Sequence, residues 1–297
     1  MWLVFSLFAP FFFAVVHVMD SYCVEDVFEK PWMGMITSAI ASVIVFLPLP
    51  YILPFLNWSF PGWHIVIAAF ASGALIQLSQ GLYFQSMSYS EAGIIAAYWN
   101  MIPALIVILS LVFFGNTLSI YEYIGIAILV IASTYILLAD ENFEFRIKAF
   151  LMMLCASLMQ SMTYLVLDAV YKTISFGHAF IYVTAGIVCA GLSPLLAKNT
   201  RIIFQRNANT LSKGSRMFIL IEIANLIALA CAEKAIDLYK PSIVAAVETT
   251  MPAFTFALSI GLLYTTACKF GDIRSKNKIY TKLAAVGLMT IGVILVS

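Results

Sequence analysis

A few polar side chains set inside long apolar runs carry whatever chemistry this sequence can do. Glu248 lies in such a run and is followed by Thr249, Thr250 and Pro252. A proline leaves the carbonyl four residues earlier without its helical donor, and here that carbonyl belongs to Glu248. Pro103 does the same for Trp99, within Tyr98-Trp99-Asn100. Two kinked helices would then each place a polar or aromatic side chain beside an unpaired carbonyl. That arrangement suits a desolvated site where a flat or cationic solute stacks on Trp99 and is neutralised by Glu248, with Tyr98, Asn100 and Thr249 alongside. The plainer alternative is that Trp99 packs between helices and Glu248 is protonated or hydrogen-bonded.

Further polar residues recur at helical spacing. Glu222 and Asn225 stand at i and i+3; Gln77, Gln80 and Tyr83 repeat that step; Gln160, Tyr164 and Asp168 follow at i, i+4 and i+8. Within a bilayer such groups are expensive unless they face a partner or a wet cavity, so all are candidate ligands. Interhelical hydrogen bonding is the other use membrane helices make of them. His17 and Asp20, one turn apart, form a pair able to pass protons, and with Glu248 they are the candidate coupling residues. Asp20 and Asp168 also fit plain helix ends. There is no nucleophile elbow, no Walker loop, no His-Glu-x-x-His, and five cysteines have no paired spacing. No enzyme, catalytic residue, metal site or cofactor is expected.

The elements that must position these groups follow from composition. Hydrophobic residues make up 63% and charged residues 10%, and mean hydropathy is +0.99, too few charges for an aqueous surface. One crossing of a bilayer takes roughly 20 apolar residues, so the chain accommodates about ten. The spans read as helices near 2–22, 32–54, 62–86, 90–114, 119–139, 147–174, 176–197, 215–238, 241–265 and 279–297. The stretches Glu25–Lys30, Asp140–Lys148, Lys198–Arg216 and Lys269–Lys282 read as polar loops. The run from Met1 lacks a basic start and a small-residue cleavage signal, so it is expected to be the first crossing and not a signal peptide. Basic residues beside membrane segments give no nucleic-acid surface.

The chain repeats itself. A shift of 149 residues lays Pro252 on Pro103, and a shift of 148 lays Asp168 on Asp20, with Val18-Met19-Asp20 on Val166-Leu167-Asp168. The expectation is an all-α membrane protein of ten transmembrane helices in two five-helix repeats, 1–143 and 144–297. An odd number of crossings per repeat inverts the second relative to the first, an arrangement found in secondary transporters. Small residues, such as Gly125 with Ala132 and Gly287 with Gly292, are expected at close helix contacts.

The small-residue turn Ser88–Gly93, mid-helix Pro103, Phe114-Gly115-Asn116 and Ile124-Gly125 make the stretch Gln77–Leu138 resemble an EamA domain of the drug/metabolite transporter superfamily. Pro252, Val286-Gly287 and Ile291-Gly292 carry a weaker resemblance in the second half. Many relatives have Gly-Glu after the fourth and ninth helices; here the first is Gly115-Asn116 and the second is replaced by the basic stretch Lys269–Lys282. The resemblance implies a central cavity lined by helices three, four, eight and nine. It also implies both termini inside, whereas the distribution of Lys and Arg over alternate loops, 13 against 3, places them outside.

Together these readings describe a secondary transporter that moves a small organic solute by alternating access, with protons as the candidate coupling ion. Expected partners are that solute and membrane lipids, with no nucleic acid; the chain would act as a monomer or homodimer in the cell (inner) membrane. Carboxyls without an intramembrane Arg or Lys favour an amine, amino acid or cationic drug over a strongly anionic cargo. A lipid-handling, structural or sensory membrane subunit is the alternative.

Overall fold

The computed structural model describes residues 1–23, 27–46, 60–89, 92–115, 117–138, 146–255, 257–258 and 276–296. Within them the apolar runs become helices: α1 Trp2–Tyr22, α2 Met33–Phe46, α3 Trp63–Ser86, α4 Ala92–Trp99, α5 Ile102–Phe114 and α6 Ile120–Leu138. The second half has α7 Ile147–Tyr171, α8 Phe176–Leu192, α9 Lys198–Arg206, α10 Ala208–Lys213, α11 Ser215–Leu238, α12 Pro241–Glu248 and α13 Lys276–Val296. Among the described residues six helical stretches are long and apolar enough to cross a membrane, and three shorter ones are also apolar. The expected helix ends at 47–54 and 259–265 lie outside the described residues, as do 139–145 and the first part of Lys269–Lys282.

Side chains are distributed inside out. Large apolar residues point outward, with Val112 and Phe113 each 69% exposed, while Gln77, Ser79, Ser161, Glu222 and Glu233 are buried. In water that distribution would be penalised on both counts; against hydrocarbon it is the stable one, because lipid solvates the apolar face and the polar groups find partners inside. Helix α3 packs on α7 and α8, α1 on α11, and α6 on α13, while α2 lies against α8 and α11.

The two proline-bearing spans are not the continuous kinked helices expected over 90–114 and 241–265. Helix α4 closes at Trp99 in tight turns, Asn100 N–H to Ala97 O at 3.2 Å and Met101 N–H to Tyr98 O at 3.2 Å, and α5 starts with Pro103 in its first turn. Helix α12 closes at Glu248 in the same way, Thr249 N–H to Ala246 O at 3.2 Å and Thr250 N–H to Val247 O at 3.0 Å, before helix resumes at Met251. The physical reason is that a mid-helix proline both lacks a donor and crowds the carbonyl four residues back, whereas in a first turn its amide is not needed. Gly115 caps α5 with φ +64°, a left-handed conformation that a side chain would resist.

The stretch Lys198–Arg216, expected as a polar loop, instead contains α9 and α10. Its apolar residues Phe204 and Leu211 pack with Val16, Phe28 and Phe218 at one end of α1 and α11, so a short amphipathic helix forms where composition alone suggested loop. Asn207 donates to Glu29 at 2.5 Å, and Arg206 pairs with the same carboxylate. The Asn207 hydrogen bond first, then the Arg206 charge, holds Glu29 below the usual carboxylate range. A depressed value means the tie is complete above that range and is lost as pH falls through it. Acidification is therefore expected to lower the amide protection factors of α9, exchange being corrected for its intrinsic pH dependence, ahead of those of α11. The site is solvent-exposed, so the effect on global stability is expected to be small.

The candidate solute cavity

The two helix breaks face a common interior cavity of about 170 Å³. Glu248 and Thr249 enter it from one break, Trp99 and Asn100 from the other, and Pro103 and Pro252 form part of the wall. Interrupting the helices exposes backbone and side chains that a continuous helix would turn away. Helix α1 adds His17 and Asp20, α3 adds Gln77, Gln80 and Tyr83, α7 adds Gln160 and Tyr164, and α11 adds Asn225.

The hydrogen bonds sort these residues into tied and available groups. The Tyr164 hydroxyl donates to Glu248 Oε2, while Glu248 Oε1 is buried with no hydrogen-bond partner among the described residues. Tyr83 links the aromatic wall to α1: its ring meets Trp99 edge-on at 5.7 Å, and its hydroxyl lies 2.7 Å from His17 Nδ1. Gln160 accepts from Ser79 Oγ at 3.1 Å. Asn100 donates to Thr134 Oγ1 at 3.2 Å, and Gln77, 1% exposed, donates to Met35 O at 2.9 Å. The Thr249 hydroxyl is turned back onto Ala246 O at 2.7 Å. Among the described residues, none lining the cavity is Lys or Arg.

Three of the sequence candidates stand elsewhere. Tyr98 packs its ring on Phe150 at 5.5 Å, in a small cluster with Ile95 and Met153, and is not among the residues lining the cavity. Glu222 lies outside this cavity: Ser38 and Ser42 donate to its two oxygens at 2.8 and 2.6 Å, drawing it toward α2. Asp168 is an interface residue, bonded to Lys172 at 2.7 Å. The sequence reading also passed over Glu233, 1% exposed, which accepts from the Tyr171 hydroxyl. Its signal was its place eleven residues, about three turns, beyond Glu222 on the same helix face.

Buried polar groups converging on a cavity inside an apolar all-helical shell define an integral membrane protein. Residues 1–138, just under half of the chain, match the EamA-like transporter family, which belongs to the drug/metabolite transporter superfamily. A solved crystal structure of another protein superposes with a TM-score of 0.67, covering 99% of this chain and 96% of the other at 11% identity. That likeness speaks for the fold alone. A search of curated proteins returns no match.

Proposed function

We propose that this chain is a secondary carrier in the cell (inner) membrane that moves a small organic cation, an amine or an amino acid, by alternating access through the cavity between the helix breaks. The observation that carries the reading is Glu248: a buried carboxyl with one oxygen held by Tyr164 and the other unpartnered, opposite the aromatic pair Trp99 and Tyr83. An ammonium group would occupy the place of the missing donor, and its desolvation is offset by the carboxylate and the ring faces. A proton on Glu248 would serve in the solute's absence, with His17 and Asp20 at the cavity's far side as further candidate coupling groups.

Two inverted five-helix repeats, ten crossings in all, are part of this reading. In its support, α4 and α12 end at positions 149 residues apart and restart 149 residues apart. The contacts pair up likewise: α1 on α11 answers α7 on α3, α2 on α11 answers α8 on α3, and α12 on α1 answers α4 on α7. Two such halves rocking about a shared cavity would open it to each side in turn.

The test is counterflow in proteoliposomes with a panel of labelled amines, amino acids and nucleosides. Wild-type protein is expected to concentrate at least one cationic or zwitterionic solute, and Glu248→Gln, which keeps the shape and removes the charge, is expected to reduce that uptake by at least about tenfold, the cost of an unpaired buried charge. Folded protein that concentrates nothing on the panel, or a variant that transports as well as wild type, would rule the reading out.

A further inference from the structure

Beside the main cavity lies a side chamber of about 20 Å³, bounded by α1, α2, α3 and α11. Its size admits one water or one desolvated small ion and nothing organic. Two carboxylates face it. Glu222, 1% exposed, already accepts from Ser38 at 2.8 Å, from Ser42 at 2.6 Å and from Asn225 Nδ2 at 3.4 Å. Asp20, 8% exposed, has no hydrogen bond among the described residues and lines both this chamber and the main cavity. Glu222 is near enough for its charge to act on Asp20. Two acidic groups brought together away from water, with no Lys or Arg among the described residues lining the chamber, call for a cation between them.

The donor set selects which cation. Its oxygens come from the two carboxylates, the Ser38 hydroxyl, whose lone pairs stay free while it donates to Glu222, the Thr37 hydroxyl and the side-chain amides of Gln80 and Asn225; the Cys23 thiol is the one sulfur among the described residues of the wall, and a protonated thiol is a poor ligand. Oxygen ligands suit hard alkali and alkaline-earth ions, not transition metals. Three donors already offset the Glu222 charge, which leaves about one negative charge, that of Asp20, to be balanced. We infer that the side chamber binds a single sodium ion between Asp20 and Glu222. Resting on the carrier reading above, the inference adds the coupling ion. Asp20, Gln80 and Asn225 belong to both chambers, so an ion that draws them inward also sets the wall of the solute cavity. Reciprocal linkage then requires solute and sodium to strengthen each other's binding.

The test needs no transport. Purified full-length protein in detergent is titrated with sodium chloride at constant ionic strength against potassium, choline and calcium, following thermal unfolding and the binding of radioactive sodium. Sodium alone is expected to raise the melting temperature in a saturating manner, and Asp20→Asn is expected to weaken sodium binding by at least about tenfold. Gln80→Ala, which leaves both carboxylates in place, is expected to weaken it less and guards against a misfolded Asp20 variant. Equal stabilisation by potassium or choline would overturn the inference. So would preference for calcium, sodium binding untouched by both variants, or stabilisation by acid without competition from sodium, which would mean a shared proton. Sodium binding with no counterflow would sink the carrier reading and leave the ion site standing; counterflow without sodium binding would do the reverse.

Discussion

Gly73→Val and Gly186→Val are each expected to abolish recovery of folded protein from detergent, while Gly287→Ala leaves it unchanged or slightly more stable. A Cβ on Gly73 would lie 1.8 Å from Val183 O and 2.7 Å from Val183 C; one on Gly186 would lie 2.0 Å from Phe70 O and 2.9 Å from Ala74 N. The atoms met are backbone on the facing helix, in both directions, so no rotamer change relieves the overlap and α3 and α8 must separate. In membranes such close approach supplies helix association by packing and short-range contacts, since lipid competes for every apolar side chain. Overpacking a well-filled core costs about 1–3 kcal/mol when side chains can shift, and more when they cannot. Separation would also displace Gln77, Gln80 and Tyr83, which α3 carries to the cavity. At Gly287 no atom of the described residues on another element lies within 4 Å of a built Cβ, and replacing a helical glycine by alanine gains roughly 0.5–1 kcal/mol. Monodispersity by size-exclusion chromatography and the melting temperature of the three variants decide it. A folded Gly73→Val protein would mean that α3 and α8 do not cross at these glycines.

The contrast between those glycines shows where sequence reading stops. Apolar run lengths located the spans, because one solvent property, bilayer thickness, sets them. Pro103 and Pro252 marked the two interruptions, although the chain stops and restarts there instead of bending. Residues that are exceptions to their helices, such as Glu248, Asn100, Tyr164 and Asp20, were legible as cavity candidates, since hydrocarbon leaves them few other places. Neighbour identity was not legible. Glu222 looked like a cavity ligand until Ser38 and Ser42 of α2 were seen to hold it. Gly287 was expected at a close contact and meets none among the described residues, whereas Gly125 and Gly292 do meet, each near the other's carbonyl oxygen, at 3.0 and 3.2 Å from a built Cβ. Helix α9 was missed because its formation depends on an apolar corner contributed by α1 and α11.

Glu233 was passed over, standing beside Lys234 near a helix end, yet it supports the second large prediction. Its Oε2 accepts from Tyr171, and its Oε1 is buried with no partner, while Lys234 turns instead to Asp237 and to the Phe176 ring. Tyr171→Phe therefore removes the hydroxyl donor seen at this carboxyl, and leaving a buried polar group unpaired costs about 1–3 kcal/mol, more if it is charged. Glu233→Leu alone strands the tyrosine hydroxyl and is expected to cost less, because a hydroxyl is less strongly hydrated than a carboxylate. The double variant Tyr171→Phe/Glu233→Leu removes both ends of the bond and is expected to recover most of the loss, since an apolar pair can replace a buried polar one almost neutrally. Melting temperatures of the four proteins form a double-mutant cycle, and the expected coupling between the two sites is about 1 kcal/mol or more. Additive losses would mean the hydroxyl and carboxyl contribute independently and the bond holds nothing. A stable double variant that has lost counterflow would instead make the pair part of the transport machinery, because stability would no longer explain why a carboxyl is kept at that depth.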